Sequence, residues 1–277
     1  MCLRDFRGVG GRGSGSRVVP LWVERTCSSV GAWSMLGPPL GTFVDTVGAD
    51  LVQGWWSRTV DGPGFVVPDG GVDLMWASGR GAWLAGPDTE PQAVAVPAGT
   101  SVVGVRLRPG VAAALIGGSA ELVADKRLAI DDLVPAPLAR RVAEMLGESG
   151  SPAAGAMALR YLVNEGVGGS WEPDPVVEHT VACLRAGRRL PEVGLSARQH
   201  RRRFAQAMGY GPKFFERICR LDRFTERVGQ ASLAELAARL GYFDQAHLTR
   251  DCVALTGRTP AQFRADRFVQ DTCLEVV

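Results

Sequence analysis

Hydrophobic residues follow two different periods along the chain. Between about residues 40 and 110, short apolar runs are bounded by Gly, Pro or Asp, and from residue 110 onward apolar residues recur every three or four positions. The first pattern is typical of short β-strands and the second of amphipathic helices. The sequence therefore predicts an α+β protein, with a small β-sandwich or barrel-like domain and its helices first, and an all-α domain after it.

Five apolar runs predict strands in the amino-terminal part. They are FVVP (65–68), VDLMW (72–76), AWLAG (82–86), AVAVP (93–97) and SVVGVRLRP (101–109). The turn sequence Asp69-Gly70-Gly71 separates the first two, so we expect them to pair as a hairpin. In the last run, valine or leucine at 103, 105 and 107 alternates with Gly104, Arg106 and Arg108. This alternation predicts a half-buried strand.

Helical periodicity then continues through three segments between residues 110 and 165 and resumes at Val176. The sequence GVGGSWEPDP (166–175), rich in Gly and Pro, lies between them and predicts a linker. A helix with Val177, Val181 and Leu184 on its inner side follows this linker. A second domain therefore begins near residue 176.

Near the carboxy terminus, Ser232 and Glu235 have the spacing of a capping box, in which each side chain hydrogen-bonds the other residue's backbone. Apolar residues at 233, 236, 237 and 240 then recur at helical spacing. Gly241 is suited to end this short helix in the left-handed conformation.

A second helix is predicted after a short turn, with Asp244 as its N-cap and Gly257 as its end. Thr259-Pro260 has the order that begins a third helix. The buried side of the second helix is predicted to carry Leu248, Cys252 and Leu255. The residues left on or near its outer face are Gln245, His247, Thr249, Arg250 and Asp251. Two short helices joined by a tight turn, with polar and basic residues outward, form the helix-turn-helix arrangement that enters the DNA major groove.

This stretch resembles the second helix-turn-helix of AraC/XylS-type transcription regulators. Their pattern is approximately A-x-x-x-G-[FY]-x-[DS]-x-[SA]-H-[FL]-x-R, followed after about ten residues by G-x-T-P-x-x-[FY]-R. The positions that match are Ala237, Gly241, Tyr242, Asp244, Ala246, His247, Leu248, Arg250, Gly257, Thr259, Pro260, Phe263 and Arg264. The resemblance implies sequence-specific binding of double-stranded DNA, with Tyr242 and Phe263 in the core.

The segment from Arg188 to Phe224 resembles the family's first helix-turn-helix and its connecting helix. Ser196 is the predicted cap of a recognition helix that contains QHRRRF (199–204), close to the family's Q-L-x-R-x-F. Residues 212–228 are predicted to form a helix that bridges the two half-domains. The chain departs from the family between Gly187 and Gly194, where RRLPEV is too short for the usual supporting helix and contains a proline.

Six residues are candidates for DNA contact. In the first unit Arg198, Arg201 and Arg202 lie on one helical face and correspond to positions that reach the groove in the family; each suits guanine or a phosphate. In the second unit Gln245 has the geometry for adenine, and Arg250 suits guanine, a phosphate or an internal carboxylate. His247 is a further candidate, with a packing or capping role as the alternative.

Charge is concentrated in the same region. The whole chain has a net charge of +2, whereas residues 185–227 carry 12 Lys and Arg against 4 Asp and Glu, a net +8. A local basic surface is what a DNA-binding region requires. The dispersed cysteines predict neither a disulfide framework nor a zinc site, and no cofactor is expected. Because no apolar run reaches the length of a membrane span, we expect a cytoplasmic protein.

We expect the following division of the chain: residues 1–34 as a disordered extension, 35–165 as a sensor or regulatory domain, 166–175 as the linker, 176–268 as the DNA-binding domain and 269–277 as a tail. Met35 is a candidate for the true start. The phrases PDGGVDLMW and GVRLRPG resemble the small β domain that precedes the DNA-binding part in one actinobacterial branch of the family. A small-molecule effector and a homodimer are therefore expected partners, together with RNA polymerase.

Candidates to line an effector pocket are Asp69, Asp73, Trp76, Arg106 and Arg108, although turn and strand-surface roles explain them equally well. Two other classes of protein remain open at this point. A DNA-modifying or repair enzyme would need a reactive cysteine, for which Cys27 is the candidate in the β region. A protein-interaction module predicts no salt-dependent DNA binding. Since no catalytic motif stands in a fitting context, we expect a protein that is not an enzyme.

Overall fold

The computed structural model describes residues 51–263, except 61, 63, 95 and 170. Seven strands form in the amino-terminal part: β1 (Val52–Thr59), β2 (Gly64–Val66), β3 (Asp73–Ala77), β4 (Gly81–Ala85), β5 (Gln92–Val94), β6 (Ser101–Leu107) and β7 (Arg127–Ala129). Five of them make an antiparallel sheet in the order β1-β6-β3-β4-β7, and β2 pairs with β5 in a separate ribbon. The predicted extension, the candidate start at Met35 and Cys27 lie outside the described residues.

The pairing of β2 corrects one prediction from the sequence. Phe65 pairs with Ala93 of β5, whereas Leu74 of β3 pairs with Leu84 of β4 and Val105 of β6. The expected hairpin between 65–68 and 72–76 is therefore wrong. Asp69-Gly70-Gly71 does form a turn, and the Gly71 N–H donates to Asp69 Oδ1 at 2.9 Å, but this turn joins two different sheets.

The expectation of a half-buried β6 is also wrong. This strand lies between β1 and β3, and six of its seven residues are buried. Arg106 is only 4% exposed, and its guanidinium donates to Asp73 Oδ1 at 2.8 Å and to Asp69 Oδ2 at 2.5 Å. Two carboxylates compensate for burial of the cation, which could not remain in the sheet without such partners.

Helices cover one face of the sheet. They are α1 (Val111–Leu115), α2 (Ala136–Gly147) and α3 (Pro152–Val167), in the segments where helical spacing predicts them. Leu159 and Leu162 of α3 are fully buried with Leu74, Val103 and Val105 of the sheet. The opposite face carries Trp56, whose ring lies against Gly104.

Five helices lie within the described carboxy-terminal part: α4 (Pro175–Arg185), α5 (Ala197–Met208), α6 (Pro212–Arg227), α7 (Leu233–Arg239) and α8 (Gln245–Thr256); residues 260–263 are helical as well. The middle one takes part in two hydrophobic cores. Phe215 and Ile218 of α6 pack with α4 and α5, whereas Leu221 and Phe224 pack with α7 and α8. The predicted bridge between the two half-domains is thus the helix α6.

The two parts of the chain pack against each other through a small set of contacts. The Gly110 N–H donates to the Ala207 carbonyl of α5 at 3.2 Å, and Arg108 forms a 3.2 Å salt bridge with Glu178 of α4. Gly70 faces the ring of Phe215: a Cβ at this position would lie 2.5 Å from Phe215 Cε2. Since Gly70 also has φ +76°, both its backbone and its neighbour exclude a side chain.

None of the described helices combines the length and the hydropathy needed to cross a membrane.

Candidate DNA-binding surface

Local hydrogen bonds define the helix pair α7–α8. The Ser232 side chain accepts from the Glu235 N–H and the Glu235 carboxylate accepts from the Ser232 N–H, which completes the predicted capping box. Asp244 Oδ1 accepts from the His247 N–H at 2.6 Å and caps α8. Gly241 has φ +77°, the left-handed backbone predicted after α7.

His247 fixes the turn between these helices. Its ring Nδ1 accepts from the Phe243 N–H at 3.3 Å, and the ring meets Tyr242 edge-on, with centroids 5.3 Å apart. The side chain is half-buried, and its Nε2 lies 3.9 Å from Asp251 Oδ2. Because Nδ1 accepts, Nε2 carries the proton of the neutral ring and faces this carboxylate. Through these contacts, His247 positions the start of α8.

Asp251 lies inside the domain, and its predicted place on or near the outer face of α8 is wrong. The residue is 6% exposed, and its Oδ1 accepts from Arg217 Nε of α6 at 3.0 Å. Arg217 also lies over the Phe214 ring. This partly buried ion pair links α8 to the bridging helix, and the two residues are 34 positions apart in the sequence.

The outer face of α8 is more apolar than its sequence suggests. Gln245 and Arg250 are exposed as predicted, and Ala246 and Val253 are exposed beside them. Thr249 Oγ1 donates to the Gln245 carbonyl at 2.9 Å, so this hydroxyl is already used within the helix. Phe243, in the turn before α8, is 92% exposed and is not among the residues that the sequence pattern singles out. The sequence feature that could have indicated its exposure is its position in the turn, between the core residue Tyr242 and the N-cap Asp244.

Helix α5 has a local scaffold that differs from that of α8. No helix forms between Arg185 and Ala197 in the described chain, so α5 lacks a supporting helix directly before it. The departure seen in the sequence at RRLPEV is therefore real. Ser196 and Gln199 nevertheless form the predicted capping box at the start of α5.

Two polar contacts with α4 hold α5 instead. His200 Nε2 lies 2.8 Å from Thr180 Oγ1, and the Thr180 hydroxyl donates to the Val176 carbonyl at 2.7 Å. The hydroxyl proton is thereby committed, so His200 Nε2 donates. Burial lowers the pKa of His200, which favours the neutral ring. The second contact joins Arg203 to Asp174, the N-cap of α4.

The predicted basic residues of α5 lie together on its free side. Arg198, Arg201 and Arg202 are all exposed, and within the described residues they form no salt bridge. Arg188 and Arg189, in the loop before this helix, are exposed as well. The surface therefore has a dense positive charge at α5 and a mixed apolar, amide and guanidinium surface at α8. Such a surface suits a polyanion with a groove lined by donors, acceptors and methyl groups.

Comparison with known proteins assigns a family to the carboxy-terminal part of the chain. Residues 191–266 match a family described as a helix-turn-helix domain. The carboxy-terminal part of the chain is an AraC-type helix-turn-helix domain. Domains of this type bind DNA in transcription regulators, so the chain is a DNA-binding transcription regulator.

The part that precedes the AraC-type domain matches a second family. Residues 49–129 correspond to a domain of unknown function (DUF6597), a segment that contains all seven strands. Among curated proteins, none matches the chain.

Solved structures give a distant likeness. ToxT from Vibrio cholerae is 7% identical, with 76% of this chain and 97% of ToxT covered and a TM-score of 0.38. ToxT with bound unsaturated fatty acid is 8% identical, covers 76% and 93% of the two chains and has a TM-score of 0.31. Likeness at this level assigns neither a ligand nor a binding site to the chain.

The remaining candidate residues are engaged in other contacts. Asp69, Asp73 and Arg106 form the buried ion cluster of the sheet, and Arg108 pairs with Glu178. Cys183, Cys219 and Cys252 are free and buried, and burial raises the pKa of Cys219 to about 12 and that of Cys252 to about 11. Thiols in this state are poor nucleophiles. In the described part of the chain, no group of His, Cys, Asp and Glu is arranged to hold a metal ion.

Proposed function

We propose that the protein regulates transcription by binding a duplex operator through two helices of its AraC-type domain, α8 and α5, placed in adjacent major grooves. The single observation that supports this most is the exposure of Arg198, Arg201 and Arg202 on α5 together with that of Gln245 and Arg250 on α8. Adjacent grooves on one face are about 34 Å apart.

At α8, Gln245 and Arg250 are assigned to base edges, adenine and guanine respectively. Both side chains are exposed, whereas His247 is held by Phe243 and Tyr242. The primary role of His247 is therefore to orient α8, and base contact by His247 remains a prediction.

At α5, Arg198, Arg201 and Arg202 are assigned to phosphates and guanines. The exposure of all three supports this role. The ties from α5 to Thr180 and Asp174 supply rigidity that the absent supporting helix would otherwise give. Both units together would recognise a long, asymmetric site.

The proposed division of labour makes the first part of the chain, residues 35–165, a regulatory domain and residues 176–268 the DNA-binding domain, joined by 166–175. The packing supports a boundary there. The buried members of one core come from Leu51 to Val163, and those of two other cores come from Val177 onward. Effector binding, self-association, contact with RNA polymerase and a cytoplasmic location belong to this proposal, and no catalytic role is part of it.

Selection from random duplex DNA by the full-length protein tests the proposed function. We expect a defined consensus with two contacted segments one helical turn apart, and binding that weakens steeply with salt. Retention of no duplex at low ionic strength would contradict the proposal. A protein-interaction module would give that result.

A substitution at α5 tests the contribution of this helix separately from that of α8. Arg201→Ala is expected to lower affinity for the selected duplex and to reduce the slope of log K against log salt by about one if the contact is to phosphate. Fluorescence anisotropy at several salt concentrations measures both. The matched control is Arg140→Ala, an exposed arginine of α2, which should leave the slope unchanged.

A further inference from the structure

The exposed ring of Phe243 is the feature that the proposed function leaves unexplained. Its side chain is 92% exposed, against 62% for Met157 and 60% for Leu122, the next most exposed large hydrophobic residues of the described chain. An aromatic ring left in water forgoes a large favourable burial free energy. Exposed apolar groups of this size mark interaction sites when they stand in a functional surface.

The backbone holds this ring in a fixed place. Tyr242 before it is 4% exposed and fixed in the core, and Asp244 after it caps α8. The Phe243 N–H itself donates to His247 Nδ1. With both neighbours and its own amide engaged, the side chain of Phe243 projects from the start of α8 with little freedom to turn inward.

The ring continues an apolar stripe along the recognition helix. Ala246 and Val253 are exposed on α8 at positions i and i+7, with Arg250 at i+4 on the same face. The Thr249 hydroxyl donates a hydrogen bond to the Gln245 carbonyl, so its methyl group is the part that can contact a partner. The exposed surface of α8 thus carries a row of apolar groups beside the side chains of Gln245 and Arg250.

Only one apolar group is available in the major groove of unmodified DNA, the C5-methyl of thymine. The exposed cation Arg250 on this face of α8 favours a polyanionic partner over an apolar protein surface. We propose that Phe243, together with Ala246 and Val253, packs against thymine methyl groups in the operator segment beneath α8. This inference rests on the proposed function and adds thymine to the adenine and guanine assigned to Gln245 and Arg250.

Replacement of thymine by uracil in the selected duplex tests the inference, because only the methyl group is removed. In the segment protected by α8, we expect at least one single thymine-to-uracil change to weaken binding of the wild-type protein about fourfold, the effect of one buried methyl group. Phe243→Ala should bind the thymine duplex more weakly and should show no further loss with uracil at the position contacted by Phe243. Because the substitution removes only an exposed side chain, we expect the variant to keep the wild-type midpoint in thermal unfolding.

Met157→Ala is the matched control, since it removes an exposed hydrophobic side chain from α3; it should retain wild-type affinity and the full uracil effect. Uniform indifference of the wild-type protein to uracil would overturn the inference while DNA binding, and with it the proposed function, still stands. Normal DNA binding by Phe243→Ala with an unchanged uracil effect and lost transcriptional activity would overturn it too, in favour of a protein partner at this ring.

Discussion

At the scale of single residues, the polar side chains of the AraC-type domain divide into those that hold the fold and those that face outward. Asp251 and His247 were expected on or near the outside of α8, yet both make contacts within the domain. Gln245 and Arg250 retain exposed side chains on the same helix. The first pair therefore sets the position of the helix, and the second pair remains available to bases.

Gln245→Ala tests the assignment of an adenine contact. Loss of a bidentate hydrogen bond should relax preference at one base pair of the consensus by about 1–3 kcal/mol and leave the other positions unchanged. Competition binding with single-position operator variants measures this. Gln230→Ala, an exposed glutamine after α6, is the control, and an unchanged preference in the Gln245 variant would remove the assignment.

At the scale of elements, local and distant contacts explain what the sequence could predict. The caps at Ser196, Ser232 and Asp244 were predictable because each closes within three residues. The burial of Arg106 was not, because its partner Asp69 lies 37 residues away. The partner of β2 was predicted wrongly for the same reason: an apolar run indicates that a strand forms but does not define which strand pairs with it.

Helix α5 shows a second kind of limit. His200 occupies a position where the family prefers an apolar residue, and sequence alone gave no reason for it. The structure supplies the partner, Thr180, on α4. This polar pair is buried between α4 and α5.

Thr180→Val tests this pair. The variant leaves the His200 Nε2–H buried without an acceptor, so the free energy of unfolding should fall by about 1–3 kcal/mol. The double variant Thr180→Val, His200→Leu removes both polar groups and should recover most of that loss. Chemical denaturation measures both, and equal losses in the single and double variants would show that the hydrogen bond is not the source of the stability.

At the scale of the whole molecule, the turn at Gly70 connects the strand-rich part to the DNA-binding domain. The ring of Phe215 lies where a side chain at this turn would have to go. Asp69 of the same turn belongs to the buried ion cluster. The turn therefore contacts both the ion cluster of the sheet and the bridging helix α6.

Gly70→Ala should destabilise the protein more than a substitution that strains the backbone alone. Gly79→Ala is the matched variant: Gly79 has nearly the same φ, +74° against +76°, and nothing lies within 4 Å of the added Cβ. The left-handed conformation costs each about 1–2 kcal/mol. Overpacking against Phe215 should add about 1–3 kcal/mol to the first. Equal losses in the free energy of unfolding of Gly70→Ala and Gly79→Ala, measured by chemical denaturation, would mean that the Phe215 ring moves aside without cost.

The carboxyl of Asp222 on α6 predicts a pH dependence of stability. Burial raises its pKa to about 7, and the nearby Asp69 and Glu226 act in the same direction against the lowering effect of Arg185 and Arg106. Since the folded state holds this proton more tightly than the unfolded state does, its contribution to stability is present below pH 4 and declines as the pH rises to about 7.

Asp222→Asn removes that titration. The free energy of unfolding of the variant should fall less than that of the wild type between pH 5 and pH 8, measured by denaturant titration at each pH. Asp131→Asn, at an exposed carboxylate, should leave the wild-type difference intact. Parallel curves for Asp222→Asn and the wild type would contradict the prediction.

The helix α6 also has a consequence for the DNA. Because the two ends of α6 pack in separate hydrophobic cores, this helix fixes the distance between α5 and α8. One base pair inserted between the two contacted segments would lengthen the operator by about 3.4 Å and turn one segment by about a tenth of a revolution. On the proposed function, a helix packed into both cores resists such a change, so we expect binding to depend on the spacing of the two segments as strictly as on their bases.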